Sequence, residues 1–398
     1  MRIGIYLDQW RDGGVPVFIE RLEQQFTSMG HEVLLFLANP YPKREQMPKE
    51  LYRTIKSKLG ERCVSLNLNS FPKRWRAIHF KNVLLPFKVD CLLINQFNSE
   101  IPLLRTIARE VPLISIGHTD SDYYYREFLE TLQDRAGHIA VSRRIYEKSL
   151  SYVSPDEANK IHYIPYGLED QTAFQPAPQG PLHVIYCARL DPLQKRCQDL
   201  VPLWQEYRRR GGSGRMTILG SGKGEQYLRK TFQAEIAAGR IIMRGHLSSP
   251  EALREISQSD VILNISNFEG LPQVVLEGAS LGLYPILSDI ESGHREIVET
   301  LGFGTLCHVG DHSAYAQKLI ELEKHLDELR SKRASRREKT WQHYALRDCC
   351  AKYLSVLSGV QRGAVPDYTP EIYNPTLQEC FQRAIMLLKY RRHYSIID

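Results

Sequence analysis

A chain of 398 residues is too long for one ordinary hydrophobic core, so two domains with extensions are expected. An apolar share of 42% with 25% charged residues excludes a disordered or fibrous chain. The net charge of +6 suits an anionic ligand or a membrane surface, but it is too mild to single out nucleic acid.

From the N-terminus, MRIGIYLDQW meets Asp8 and Asp12 too soon for a secretory core, and no apolar run is long enough to span a bilayer. A cytoplasmic location is expected. Strand candidates follow at 2–7, 32–37, 63–68, 91–95, 112–116 and 138–142. Between the first two, Phe18, Leu22 and Phe26 stand four apart on one helix face that Gly30 closes. Continuous apolar strands separated by helices indicate a doubly wound parallel sheet covered on both faces.

The stretch 168–181 is rich in Pro, Gln and Gly and reads as a linker. The alternation then restarts with strands at 182–187, 216–219, 240–243, 261–265 and 284–288, and helices at 196–209, 224–236 and 250–257. Beyond residue 312 the chain is helical and highly charged, as in RSKRASRREK (330–339). A Pro-punctuated stretch (366–375) leads to an amphipathic segment, CFQRAIMLLKYRRHY. Eight cysteines, at 63, 91, 187, 197, 307, 349, 350 and 380, show no zinc spacing and read as reduced, buried thiols. Two such domains in sequence face each other across a cleft at the carboxyl edges of their sheets, where open α/β sheets bind ligands.

The most informative segment is NISNFEGLPQVVLEGASLGLYPILSD (264–289). A strand ends near Ile265 and Glu269-Gly270-Leu271-Pro272 turns into a helix, with Pro272 expected as its first residue. The backbone N–H groups of Gly270 and Leu271, backed by the positive helix end, make an anion site. Glu269 can accept from sugar hydroxyls. Glu277, eight residues on among Val274, Val275, Leu276 and Ala279, needs a partner, and a ribose diol is a fitting one.

In YCARLDPLQKR (186–196), Arg189 leaves a strand end and Lys195 follows six residues later. Two cations there can neutralise charge on a departing diphosphate. Gly13-Gly14 precede the first helix and permit close approach of backbone N–H groups to a phosphate. His118 ends the run PLISIGH at a strand's carboxyl end, facing the cleft, where a neutral imidazole can bond a sugar hydroxyl. Backbone groups near Arg244 and Gly245, in MRGHL (243–247), are placed to read a base. Asp120 and Asp122 form a DxD, a weak metal pattern, read here as acceptor-loop carboxylates with no metal. LGSGKGE (219–225) has the wrong spacing for a Walker A loop.

Glu269 and Glu277 match the E-x7-E motif of retaining GT-B glycosyltransferases, and EGLPQVVLEGASLGLYPILSD resembles the signature of family GT4, the group 1 glycosyl transferases. YCARLDPLQKR resembles that family's G-R-L-x(n)-K-G element, with Ala188 for the usual Gly and Arg196 where Gly is common. Gly13-Gly14 resemble its GG-x(n)-L loop, followed by GHEV (30–33). LGSGKGE resembles its G-x-G turn, and YIPYGLED (163–170) its I-P-N-G-V-D hinge, with Tyr166 for the common Asn. The resemblance covers 1–345 and is strongest over 184–300.

It implies a GT-B fold of two Rossmann-like domains: an acceptor-side domain at 1–167, a linker at 168–181, a donor domain at 182–345, and late helices (346–398) returning to the first domain. It further implies a metal-independent hexosyl or N-acetylhexosaminyl transfer with retention, from a nucleotide diphosphate sugar to a glycan, glycolipid or small-molecule hydroxyl. Arg189 and Lys195 would grip the diphosphate, and a His at position 118 would contact the donor sugar. Prior frequency favours a UDP-linked donor. An epimerase or hydrolase on the same fold, or a non-catalytic nucleotide-sugar-binding protein, are the competing readings. The basic, aromatic-bearing segments 41–62 and 71–81 suit peripheral contact with an anionic membrane, and a solvated surface suits them equally.

Overall fold

The computed structural model describes residues 1–7, 13–38, 49–70, 73–95, 107–170 and 178–360. Segments 380–394 and 366–375 and part of the basic stretch 41–62 named above therefore lie outside the described residues, as do Asp8 and Asp12. Two wholly parallel sheets organise the chain. The first joins β1 (Arg2–Leu7), β2 (Glu32–Leu37), β3 (Cys63–Ser65), β4 (Cys91–Asn95), β5 (Leu113–Gly117), β6 (Gly137–Ala140) and β7 (Ile161–Tyr163). Their spatial order is β3-β2-β1-β4-β5-β6-β7. The second joins β8 (His183–Cys187), β9 (Arg215–Leu219), β10 (Ile241–Gly245), β11 (Val261–Asn264), β12 (Tyr284–Ser288) and β13 (Thr305–Cys307), in the order β10-β9-β8-β11-β12-β13.

In each sheet the winding reverses beside the first strand, between β1 and β4 and between β8 and β11. Crossovers on either side of a reversal leave in opposite directions and open a crevice at the strands' carboxyl ends. Leu7 pairs with Asn95 at one such edge, and Cys187 and Asn264 end their strands at the other.

Burial explains the strand pattern. Ile3, Ile5 and Leu7 face the Gly14–Ser28 helix through Phe18, Leu22 and Phe26, while Tyr6, Leu34 and Phe36 face Phe80 on the opposite side. The predicted strand 63–68 ends at Ser65, because Asn67 takes a left-handed turn (φ 49°) and carries Leu66 and Leu68 into the core under β2. β7 and β13 are three-residue edge strands that carry too little apolar pattern to be read from sequence. The helix expected at 224–236 breaks at Phe232 into Glu225–Thr231 and Gln233–Ala237.

Two crossings join the domains, and they bond to each other. Leu168 N–H donates to Tyr344 O (2.7 Å) and Leu346 N–H donates to Leu168 O (2.9 Å). A Cβ on Gly167 would lie 2.6 Å from Leu346 Cα, so only glycine permits this approach. Beyond the second crossing, the Leu346–Gly359 helix packs Tyr353 against Phe18 and Phe26 of the first domain. All seven cysteines among the described residues are free thiols, six of them buried. Among the described residues no helix is long and apolar enough to cross a membrane.

Candidate functional site

The loop after β11 and the loop after β8 form one unit. Asn267 N–H donates to Gln194 O (2.8 Å), and its side-chain amide donates to Leu193 O (2.6 Å). Asp191 holds the second loop in a turn by accepting from the amides of Leu193 and Gln194. The glycine turn 219–225 lies beneath. Gly220 and Gly222 press on the carbonyls of Ala188 and Leu190, where a Cβ would come within 1.9 and 2.7 Å. That turn supports the loop carrying Arg189.

Lys195 Nζ donates to Glu269 Oε1 at 2.5 Å, with side chains only 16% and 8% exposed. Ser266 Oγ donates to the same carboxylate (2.6 Å). Burial pushes the Glu269 carboxyl up, yet the Lys195 charge, helped by His294 and the Ser266 hydrogen bond, holds it below the usual carboxylate range. Lys195 itself is anchored where its carbonyl accepts from Tyr186 OH (3.0 Å). Arg189 is exposed at the rim and donates to Gln194 Oε1 (2.8 Å). It does not bond either glutamate directly; it belongs to the site through the loop it shares with Lys195.

The turn Gly270-Leu271-Pro272 leads into the Gln273–Ser280 helix. Pro272 is its N-cap rather than its first residue, and no side chain caps it. Gly270 touches the first domain, since a Cβ there would lie 2.0 Å from His118 O. Leu271 sends its side chain into the core, and Gly270 O accepts from Gly293 N–H (2.9 Å). Across the cleft, Gly13 (φ 153°) has open space beside its Cα and Gly14 starts the first helix. Gln273 Nε2 donates to Gly14 O (2.8 Å). The N-termini of one helix from each domain thus converge, and both are positive dipole ends.

Glu277, one turn further along, meets Arg21 of the first domain: Nη2 to Oε1 is 2.5 Å. It also lies near the end of β8, where burial and the Glu277 charge push the Cys187 thiol up to about 12. The partner that a buried carboxylate needs is therefore present within the chain, and it is an arginine the sequence analysis did not single out.

His118 differs from expectation. Its ring is 6% exposed and both nitrogens are engaged: Tyr166 OH donates to Nδ1 (2.6 Å), and Nε2 donates to Asn95 Oδ1 (2.9 Å). Asn95 Nδ2 in turn donates to Tyr6 O (3.3 Å). Burial pushes the imidazole down to about 3, so it is neutral at physiological pH. In this arrangement the ring has no nitrogen left for a sugar hydroxyl, and His118 meets the cleft through its backbone carbonyl. Tyr166 occupies the position where the resembled hinge has Asn, and serves here as His118's partner.

Arg244 is not brought to this cluster. It pairs with Glu255 Oε1 (3.3 Å) on the outer Ser249–Ser257 helix, and Gly245 O accepts from Gly220 N–H (2.7 Å). Asp120 and Asp122 are held by Lys148, and Asp120 also by Arg144 and Tyr125 OH. Among the described residues no group of three His, Cys, Asp or Glu side chains could hold a metal ion.

Several groups escaped the sequence analysis. Glu296, 4% exposed, reaches from the second domain to accept from Arg143 N–H (2.6 Å) and Tyr163 OH (2.5 Å) of the first. His294, fully buried beside Glu269, donates from Nδ1 to Ser288 O (2.7 Å); burial pushes it down to about 4.

Residues 169–340 match the family model described as Glycosyl transferases group 1. The chain is 31% identical over 160 residues to the putative colanic acid biosynthesis glycosyltransferase WcaL of Escherichia coli K12, covering 38% of this chain and 39% of that protein. It is 24% identical over 224 residues to the lipopolysaccharide 1,6-galactosyltransferase of the same organism, covering 55% of this chain and 61% of that one. It therefore spans less than two thirds of the length of these relatives. In structure it is similar to Anabaena Alr3699/HepE in complex with UDP (TM-score 0.71, 15% identity, 90% of this chain and 100% of that one). It is equally similar to the pneumococcal O-GlcNAc transferase GtfA in complex with UDP and GlcNAc (TM-score 0.72, 13% identity, 90% and 99%). The chain has the GT-B fold. The matched segment contains Arg189, Lys195, Glu269 and Glu277, four charged residues of the second domain's loops and first helix turns.

Proposed function

We propose that the protein is a retaining glycosyltransferase that moves a hexosyl or N-acetylhexosaminyl group from a nucleotide diphosphate sugar, UDP-linked by preference, to a hydroxyl of a glycan or glycolipid. The observation that carries this reading is the buried Lys195–Glu269 pair beside the uncapped start of the Gln273–Ser280 helix, with Glu277 one turn along and Gly13-Gly14 opposite.

The roles follow from chemistry. The diphosphate lies against Lys195 and Arg189, whose charges stabilise the nucleoside diphosphate as the glycosidic bond breaks. The helix N-termini behind Gly270-Leu271 and Gly13-Gly14 add oriented N–H groups that need no reorganisation. Glu269, kept ionised by Lys195, accepts from the sugar's hydroxyls and fixes its orientation. Glu277 accepts from the ribose diol. The His118–Tyr166–Asn95 chain shapes the neutral wall opposite. In this reading the leaving diphosphate takes the acceptor's proton on the face from which it departs, which gives retention. The positive charge required comes from Lys195, Arg189 and the helix ends, so the mechanism calls on no metal. The curated relatives are named for colanic acid and lipopolysaccharide synthesis, which favours a glycan or lipid-linked acceptor.

The test uses the full chain with UDP-, GDP-, ADP- and TDP-sugars, following release of nucleoside diphosphate and, by NMR, the first anomer of sugar transferred to water or to an alcohol. The expected result is release from one donor with the donor's anomeric configuration kept. An inverted first product would refute retention, and no release or binding with any donor would refute the transferase reading.

A further inference from the structure

We propose that Arg21, reaching across from the first domain, completes the ribose seat that Glu277 begins, by orienting Glu277 and offering a further donor to the diol. This deepens the donor reading above and rests on it. Gly14 and Arg21 are seven residues apart, two turns of the first helix, while Gln273 and Glu277 are four apart, one turn of the facing helix. The Gln273–Gly14 and Glu277–Arg21 bonds therefore zip two helices of different domains along one seam.

The pair is incomplete as a structural ion pair. Arg21 is 4% exposed, and a guanidinium that deep normally meets a carboxylate through two parallel bonds. Here Nη2 alone reaches Glu277, through Oε1, and Nη1 is buried without a hydrogen-bond partner among the described residues. An orphaned donor in the interior is costly, and one aimed beside a carboxylate indicates a missing acceptor. A vicinal diol supplies the complement. One hydroxyl donates to Glu277 Oε2, and a hydroxyl oxygen accepts from Arg21 Nη1. Glu277 is already oriented by Arg21 before the ligand arrives, which lowers the ordering cost of binding. Because the arginine comes from the first domain, the ribose seat is whole only where the domains meet, so nucleotide binding and domain contact reinforce each other.

The experiment is calorimetric titration of the full chain with UDP and with 2′,3′-dideoxyuridine diphosphate, in wild type, Arg21→Met, Arg21→Lys and Glu277→Gln, with melting curves to verify folding. Wild type should prefer UDP by about tenfold to a hundredfold, the effect of losing hydrogen bonds to charged groups. Arg21→Met should bind the two nucleotides alike, and Arg21→Lys should keep part of the preference. If Arg21→Met does not fold, the lysine variant carries the comparison. A preference that survives at its full wild-type size in the folded arginine variants while Glu277→Gln loses it would overturn the role of Arg21 and leave the donor reading standing. Equal weakening of both nucleotides would reduce Arg21 to a structural part. A wild type that binds neither would overturn the donor reading itself.

Discussion

The second domain brings a cluster of charges to the cleft, and the first, Arg21 apart, brings neutral groups already satisfied among themselves. Lys195, Glu269 and Glu277 stand at the second edge as ions, each held against an opposite charge. At the first edge Tyr166, His118 and Asn95 pass hydrogen bonds from one to the next and end on the backbone of β1. The difference teaches a division of labour. Ions in a low-dielectric crevice act strongly on a polyanionic leaving group, while a closed neutral chain sets shape and leaves no proton to exchange.

The sharpest way to break this comparison is to remove charge from the second edge. Lys195→Met leaves Glu269 buried without its cation, which should cost about 3–5 kcal/mol of stability. It should also lower turnover by about two to three orders of magnitude. Melting curves and donor-release rates check both, and near-normal turnover would remove Lys195 from the mechanism. Gly270→Ala tests the contact between the edges. Its Cβ would overlap His118 O, a backbone atom that cannot swing aside, so the edges must part and scattering should show a more open chain with much reduced turnover. Gly14→Ala is the control for that contact alone, because its Cβ meets the far end of the flexible Gln273 side chain, so the edges should stay together and scattering should be unchanged.

On the first edge, His118→Gln should cost about 1–3 kcal/mol of stability, from unpaired Tyr166 and Asn95, while lowering turnover far less than Lys195→Met. Because burial keeps His118 neutral, the wild-type pH–rate profile should show no limb in the ordinary histidine range; a limb there that disappears in His118→Gln would contradict the neutral wall. Acid sensitivity sits with Glu269. Its carboxyl is held below the unfolded value, so its stabilising contribution is present above the ordinary carboxylate range and is lost as pH falls through the folded value. Glu269→Gln should flatten that acid limb in melting experiments.

The smallest effect is expected at Arg196. It sits in the left-handed region (φ 49°), a conformation that costs a non-glycine residue about 1–2 kcal/mol. Its guanidinium recovers part of that through Asp199 at 2.8 and 2.5 Å. Arg196→Gly should leave stability within about 1 kcal/mol, since relief of strain and loss of the pair oppose each other.

This residue also shows what a sequence can reveal. Arg196 stands where the resembled motif carries Gly, and the left-handed turn is the physical reason for that Gly. Ala188, the other departure, keeps an ordinary backbone and needed no such account. The two sheets were readable because parallel strands buried on both faces leave continuous apolar runs, whereas the edge strands Ile161–Tyr163 and Thr305–Cys307 are too short to leave one. Lys195, Glu269 and Glu277 were readable because local spacing puts them at strand ends and on one helix. Arg21 and Glu296 were not, since their partners lie 256 and 133–153 residues away and only folding joins them. The one local sign was a charge on a helix whose neighbours Phe18, Leu22 and Phe26 are core. His118 was placed at the right strand end, but its satisfaction by Asn95 and Tyr166 depends on three separate strands and loops.

The account stands or falls on a nucleoside diphosphate resting on the second domain's charged edge. Calorimetric titration of wild type and Lys195→Met with UDP, GDP, ADP and TDP tests this most directly. The account predicts one clear binder in wild type, weakened about tenfold or more in the variant. No heat with any of the four, or an affinity indifferent to Lys195, would contradict it.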